Sequence, residues 1–126
     1  MLLGLAGTRF DKVSSFNEKY REDGIIWFLE ACDLSPMDFR RGLWRLKNCG
    51  WFDAVKAFIF GRPRRYGEDF MGVTFDSAAI DMLSAYDVPI VFDADIGHLP
   101  PMMPIVSGSY ANVFYDGKLK IDYEFK

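Results

Sequence analysis

Apolar residues gather in three short runs, and the stretches between them carry helical spacing. Gly24-Ile-Ile-Trp-Phe-Leu-Glu30 is continuous after a glycine, the pattern of a strand covered on both faces and therefore parallel, and it ends on a carboxylate. Val55-Lys-Ala-Phe-Ile-Phe60, closed by Gly61, predicts a second such strand. Val88-Pro-Ile-Val-Phe92 predicts a third, whose proline suits its first residues. Between the first two, Ser35-Pro36-Met37-Asp38 offers an N-cap, a proline at the first helical position and an acid at the third. Phe39, Leu43 and Leu46 then recur at helical spacing until Gly50 stops the run, which completes a βαβ unit with a right-handed crossover. Phe75 to Tyr86 predicts a second helix with Ala79, Ile80, Leu83 and Tyr86 on one face and Thr74 or Asp76 as cap.

The two ends read differently. Residues 1–22 are rich in Gly, Ser, Asn and charge without a clear period, which predicts an entry segment or interdomain linker and leaves 23–126 as the folded domain. From Met103 onward Pro104-Ile-Val-Ser107 and Tyr110 to Tyr115 read as strand, and Asp116-Gly117 before Lys118 to Phe125 signals a tight hairpin. The chain therefore closes on antiparallel β-structure, with Ser107 and Ser109 inside it. There is no internal repeat and no low-complexity segment.

Composition narrows the class. At 126 residues the chain builds one core, and 50% hydrophobic with 26% charged residues excludes disorder and a fibrous repeat. A net charge of −3 gives no general attraction for nucleic acid or an anionic membrane. Arg62, Arg64 and Arg65 form one basic loop, read as a solvated turn. Cys32 and Cys49 match no zinc spacing and are too few for a disulfide framework, so a reduced, cytoplasmic chain is expected. The apolar start has no basic flank and ends at Arg9, Asp11 and Lys12, so it is no signal peptide, and nothing approaches the roughly 18–20 apolar residues of a membrane span.

Candidate chemistry follows from the strand order, because ligands of open α/β sheets collect outside the carboxyl ends of the parallel strands. Glu30 and the single histidine, His98, both fall there. A carboxylate accepting the Nδ1 proton of an imidazole fixes its tautomer and leaves Nε2 free to take a proton from a nucleophile. Spacing alone favours a solvated strand end and a turn-capping histidine, and it also allows a metal held by Asp93, Asp95 and His98, with or without Glu30. No Gly-x-Ser-x-Gly elbow occurs. Cys32 has no cationic neighbour in sequence to make it a thiolate nucleophile and reads as a small buried residue. The 17% aromatic content also suits a non-catalytic module that binds a peptide or dimerises.

The acid-tipped strand, Phe39-Arg-Arg-Gly-Leu-Trp-Arg-Leu46, Gly50-Trp51, the strand ending Gly61-Arg62, Pro89-Ile-Val-Phe92, Gly97-His98 and Pro104 together resemble the C-terminal domain of the LD-carboxypeptidases, the S66 serine peptidases. The ordered set covers nearly all of the chain. The resemblance implies a swivelling β/β/α domain: a mostly parallel sheet, a smaller antiparallel sheet and helices outside. It also implies catalytic roles for Glu30 and His98, with no cofactor and no metal, and a serine on a separate N-terminal domain outside this chain. The implied substrate is a murein tetrapeptide cut at its L,D-bond, or a peptidyl-nucleotide antibiotic as in the microcin C7 immunity type, and the implied assembly is a homodimer. The abrupt start at Met1 fits the second domain of a longer protein, inactive by itself. Ala31-Cys-Asp-Leu-Ser35 departs from the family pattern by lacking a second carboxylate directly after Glu30.

Overall fold

The computed structural model describes residues 2–125. Three parallel strands, β1 (Ile25–Leu29), β2 (Val55–Arg62) and β3 (Ile90–Gly97), lie in the order β1-β2-β3, and a hairpin of β4 (Tyr110–Tyr115) and β5 (Leu119–Glu124) forms a separate antiparallel sheet. Helix α3 (Pro36–Asn48) joins β1 to β2. Helix α4 (Phe75–Leu83), extended by a 3₁₀ turn at Ser84–Tyr86, joins β2 to β3 and packs against α3.

Alternation along the strands explains the layering. Phe58 and Phe60 of β2 face α3 and α4, in a core with Phe39, Leu43, Leu46, Ala79 and Leu83. Ile59 between them turns to the opposite face with Ala94 and Ile96 of β3, and there meets Met103, Ile105, Val113 and Leu119 of the C-terminal segment. The parallel sheet thus has helices on one side and the hairpin on the other, the β/β/α layering that the resemblance implied. Phe39, Phe52, Phe58 and Phe60 pack edge-on or stacked with centroids 5.0–6.2 Å apart in the core, while Phe10, Trp44, Phe114, Tyr115 and Phe125 are among the aromatic side chains left exposed.

The caps follow the sequence. The Ser35 hydroxyl accepts the Asp38 N–H at 3.2 Å, with Pro36 in the first turn. Thr74 and Ser77 close a reciprocal capping box on α4, so Thr74 is the cap rather than Asp76.

Several expectations change. Residues 2–22 carry no clear period, yet form α1 (Leu2–Leu5) and α2 (Val13–Lys19). Tertiary bonds hold them: Asn17 Nδ2 donates to the Gly50 carbonyl at 2.8 Å, Arg45 donates to the Ala6 carbonyl at 2.8 Å, and Trp51 Nε1 donates to Asp11 at 2.8 Å. Helix α4 ends three residues early, and Ile80 is half-exposed, because its apolar stripe is narrower than the sequence spacing suggests. Residues 104–107 are not strand: the chain there is irregular, Ser107 lies in a turn, and the Ser109 hydroxyl donates to the Val106 carbonyl. Two prolines at 100–101 and a third at 104 remove the amide donors a ladder needs. Among the described residues no helix is long and apolar enough to cross a membrane.

Candidate active site

Strand β3 runs to Gly97, well past the Phe92 expected from sequence. Its continuation, Asp93-Ala-Asp-Ile-Gly97, alternates exposed and buried positions, a period-two signal present in the sequence but hidden by its acids. β3 spends one more residue than β2 between the pairs Ile59–Val91 and Gly61–Ala94, and two more between that pair and Arg62–Gly97. Asp93 takes a positive φ of 56° at the first irregularity. Such bulges re-aim side chains, and these deliver Gly97 and His98 beside the end of β2. Gly61 makes the approach possible, since any Cβ there would run into the Ile96 backbone oxygen.

Glu30, one residue past β1, and His98, one past β3, meet across the tip of β2. His98 Nδ1 lies 2.6 Å from Glu30 Oε2, and the His98 backbone N–H donates to Glu30 Oε1 at 3.3 Å. A carboxylate only accepts, so Nδ1 is the donor, and in the neutral ring this leaves the lone pair on Nε2. The Glu30 side chain is 12% exposed and the His98 side chain 46%, so the carboxylate is sheltered and the ring is half open to solvent. Both oxygens of Glu30 are thereby directed at one residue.

Nε2 faces Cys32, whose Sγ is 3.9 Å away. Cys32 is only half-buried and has φ +53°, with its carbonyl accepting the Arg64 N–H at 3.1 Å. Sequence read this cysteine as inert because no cation stood near it along the chain; the imidazole arrives from 66 positions away. Cys32 and Glu30 line one wall of an apolar hollow of about 380 Å³ floored by Leu34, Phe39 and Leu43.

The four-residue metal grouping does not assemble. Asp95 is paired with Arg62 at 2.7 Å, and Asp93 accepts the Tyr66 hydroxyl at 3.1 Å, a bond that raises the tyrosine above its ordinary value. Among the described residues no three His, Cys, Asp or Glu side chains converge to hold a metal ion. Asp93 and Tyr66 instead line a second cavity of about 240 Å³ with Asp76, whose carboxyl is pushed up by burial and then by the charge of Asp93.

For Arg62 the structure decides between two expectations, the basic loop and the end of the Gly61-Arg62 strand, in favour of the strand. Arg62 is not part of a solvated turn but the last residue of β2, with its side chain only 18% exposed. Arg64 and Arg65 do lie in the exposed loop, beside Asp33 and Glu68 respectively.

Fold and pair together define an α/β domain that presents an oriented imidazole at the carboxyl edge of its parallel sheet. Residues 1–113 match the family model described as the LD-carboxypeptidase C-terminal domain, and the chain belongs to that family. Two crystal structures share the fold. The muramoyltetrapeptide carboxypeptidase from Oxalobacter formigenes superposes with a TM-score of 0.75 at 23% identity, over 98% of this chain and 40% of that one. The MccF-like protein from Streptococcus pneumoniae, in complex with AMP, superposes with a TM-score of 0.61 at 24% identity, over 87% of this chain and 34% of that one. The chain thus spans well under half the length of either structure. A comparison with curated proteins found no match.

Proposed function

We propose that this domain supplies the base half of a serine carboxypeptidase site that hydrolyses the L,D-peptide bond of murein tetrapeptides. His98 Nε2 takes the proton of a serine hydroxyl as that oxygen attacks the carbonyl, then returns it to the leaving amine of the terminal D-residue. Glu30 holds Nδ1–H and steadies the imidazolium formed between the two steps. The serine and the oxyanion donors belong to a preceding domain of the family, joined through the entry segment at residues 1–22. The observation that carries this reading is the 2.6 Å contact between His98 Nδ1 and Glu30 Oε2, which turns Nε2 away from the carboxylate and toward the half-buried Cys32 thiol 3.9 Å away. A reduced pair of free cysteines agrees with work in the cytoplasm on recycled cell-wall fragments. The assembled protein is taken to be a homodimer.

A second substrate class, peptidyl-nucleotide antibiotics, is favoured by one observation: the fold shared with the MccF-like protein that was crystallised with AMP. The test is D-alanine release from an L,D-tetrapeptide, run beside hydrolysis of a peptidyl-nucleotide, by this domain alone and joined to a serine-bearing domain. Release of D-alanine by the joined form only is the expected result. Cleavage of the nucleotide conjugate alone moves the function to the second class, and no hydrolysis of either leaves a binding module.

A further inference from the structure

We infer that Arg62 is a positioning residue for His98: its guanidinium clamps the segment on both sides of the histidine and so sets the ring against Glu30. Nη1 donates to the Asp93 carbonyl at 3.1 Å and to Asp95 Oδ1 at 2.7 Å, both upstream of His98 on β3. Nη2 donates to the Leu99 carbonyl at 3.3 Å and the Pro101 carbonyl at 2.9 Å, both downstream. Four acceptors from nine consecutive residues thus converge on one planar cation, and His98 sits within the arc they draw.

The sequence around His98 needs such a device. Prolines at 100 and 101 have no amide donors, and the Met103 N–H bridges the segment to the Asp95 carbonyl at 2.7 Å but leaves the carbonyls of Leu99 and Pro101 to be met from outside it. Arg62 is anchored by the opposite circumstance. It ends the central strand, pairs in register with Gly97, and keeps its side chain largely out of solvent. Its donors are fixed in one plane, so the acceptors they satisfy are fixed relative to β2 and hence to Glu30 on the neighbouring strand end. A lysine offers a point charge and cannot span acceptors on both sides of the loop. The effect is on geometry, through three main-chain carbonyls and the Asp95 carboxylate, and none of these four hydrogen bonds goes to the imidazole.

This inference rests on the reading of Glu30 and His98 as orienter and base, and its test separates the two. His98 is the only histidine, so its ring signals in NMR of this chain need no assignment by mutation. A downfield Nδ1–H proton that disappears in Glu30→Gln establishes the pair. In Arg62→Ala, and to a lesser degree in Arg62→Lys, that proton is expected to be lost or to exchange at least tenfold faster, while far-UV circular dichroism stays native. Millimolar guanidinium is expected to restore it in Arg62→Ala but not in Glu30→Gln. If Arg62→Ala does not fold, Arg62→Lys and Asp95→Asn carry the same readout. A retained, slowly exchanging Nδ1–H in a folded Arg62 variant overturns the positioning role. Absence of that proton in the unmodified chain overturns instead the reading of the pair.

Discussion

Gly97 lies so close to Glu30 that a Cβ on it would sit 2.6 Å from the carboxylate carbon and 2.9 Å from Oε2. The glycine is therefore part of the site: its bare Cα is what lets the carboxylate reach the imidazole of the next residue. Its φ of +97° falls where L side chains are strained. Gly97→Ala is expected to cost about 1–3 kcal/mol of stability from the backbone alone. It should also displace Glu30, so that thermal unfolding shifts down and the His98 ring loses its bound proton signal together.

The Cys32 thiol donates to Asp33 Oδ2 at 3.6 Å and lies 3.9 Å from His98 Nε2, so an imidazole stands as a neighbouring base beside the sulphur. Iodoacetamide should therefore alkylate Cys32 faster than Cys49, which packs against the core. In His98→Ala the Cys32 rate is expected to fall about tenfold or more, with the Cys49 rate unchanged, as read by mass spectrometry of the labelled peptides. Equal Cys32 rates in both proteins would separate the thiol from the imidazole.

Asp11 ties the N-terminal segment to the core, accepting the Gly7 N–H at 2.8 Å and the Trp51 indole N–H at 2.8 Å. These bonds, the backbone one first, hold its carboxyl below the usual 3.8. With the folded value lower than the unfolded one, this stability is present above the unfolded value and is lost as pH falls through the folded value. Asp38, held down first by the Ser35 hydroxyl, acts in the same direction. Melting temperature should drop between neutral pH and about pH 3, and the drop should be smaller, though not absent, in Asp11→Asn. Asp11→Ala strips the buried Trp51 of its partner and should cost about 1–3 kcal/mol at neutral pH.

Much of this was legible in the chain. The runs at 24–30 and 55–60, the Ser35 cap and the Gly50 stop gave the βαβ unit, because a two-sided strand and an amphipathic helix differ in period. The nearness of Glu30 and His98 was legible because both follow apolar runs that end on the same sheet edge. What sequence could not display was contact across the edge. The Cys32–His98 approach and the Arg62 clamp both depend on the irregular β2–β3 register and on Gly61 and Gly97 admitting close backbones. The two helices in residues 2–22 were missed because their order comes from Asn17, Asp11 and Arg45 bonding to distant partners, which leaves no local period.

The most direct measurement is D-alanine release from an L,D-tetrapeptide by this domain joined to a serine-bearing domain, comparing the native sequence with His98→Ala and Glu30→Gln. Both variants are expected to lose about 10⁴-fold in kcat, the scale of losing a base or its orienter. Release at the native rate by either variant would contradict the assignment of His98 and Glu30 as the base half of the site.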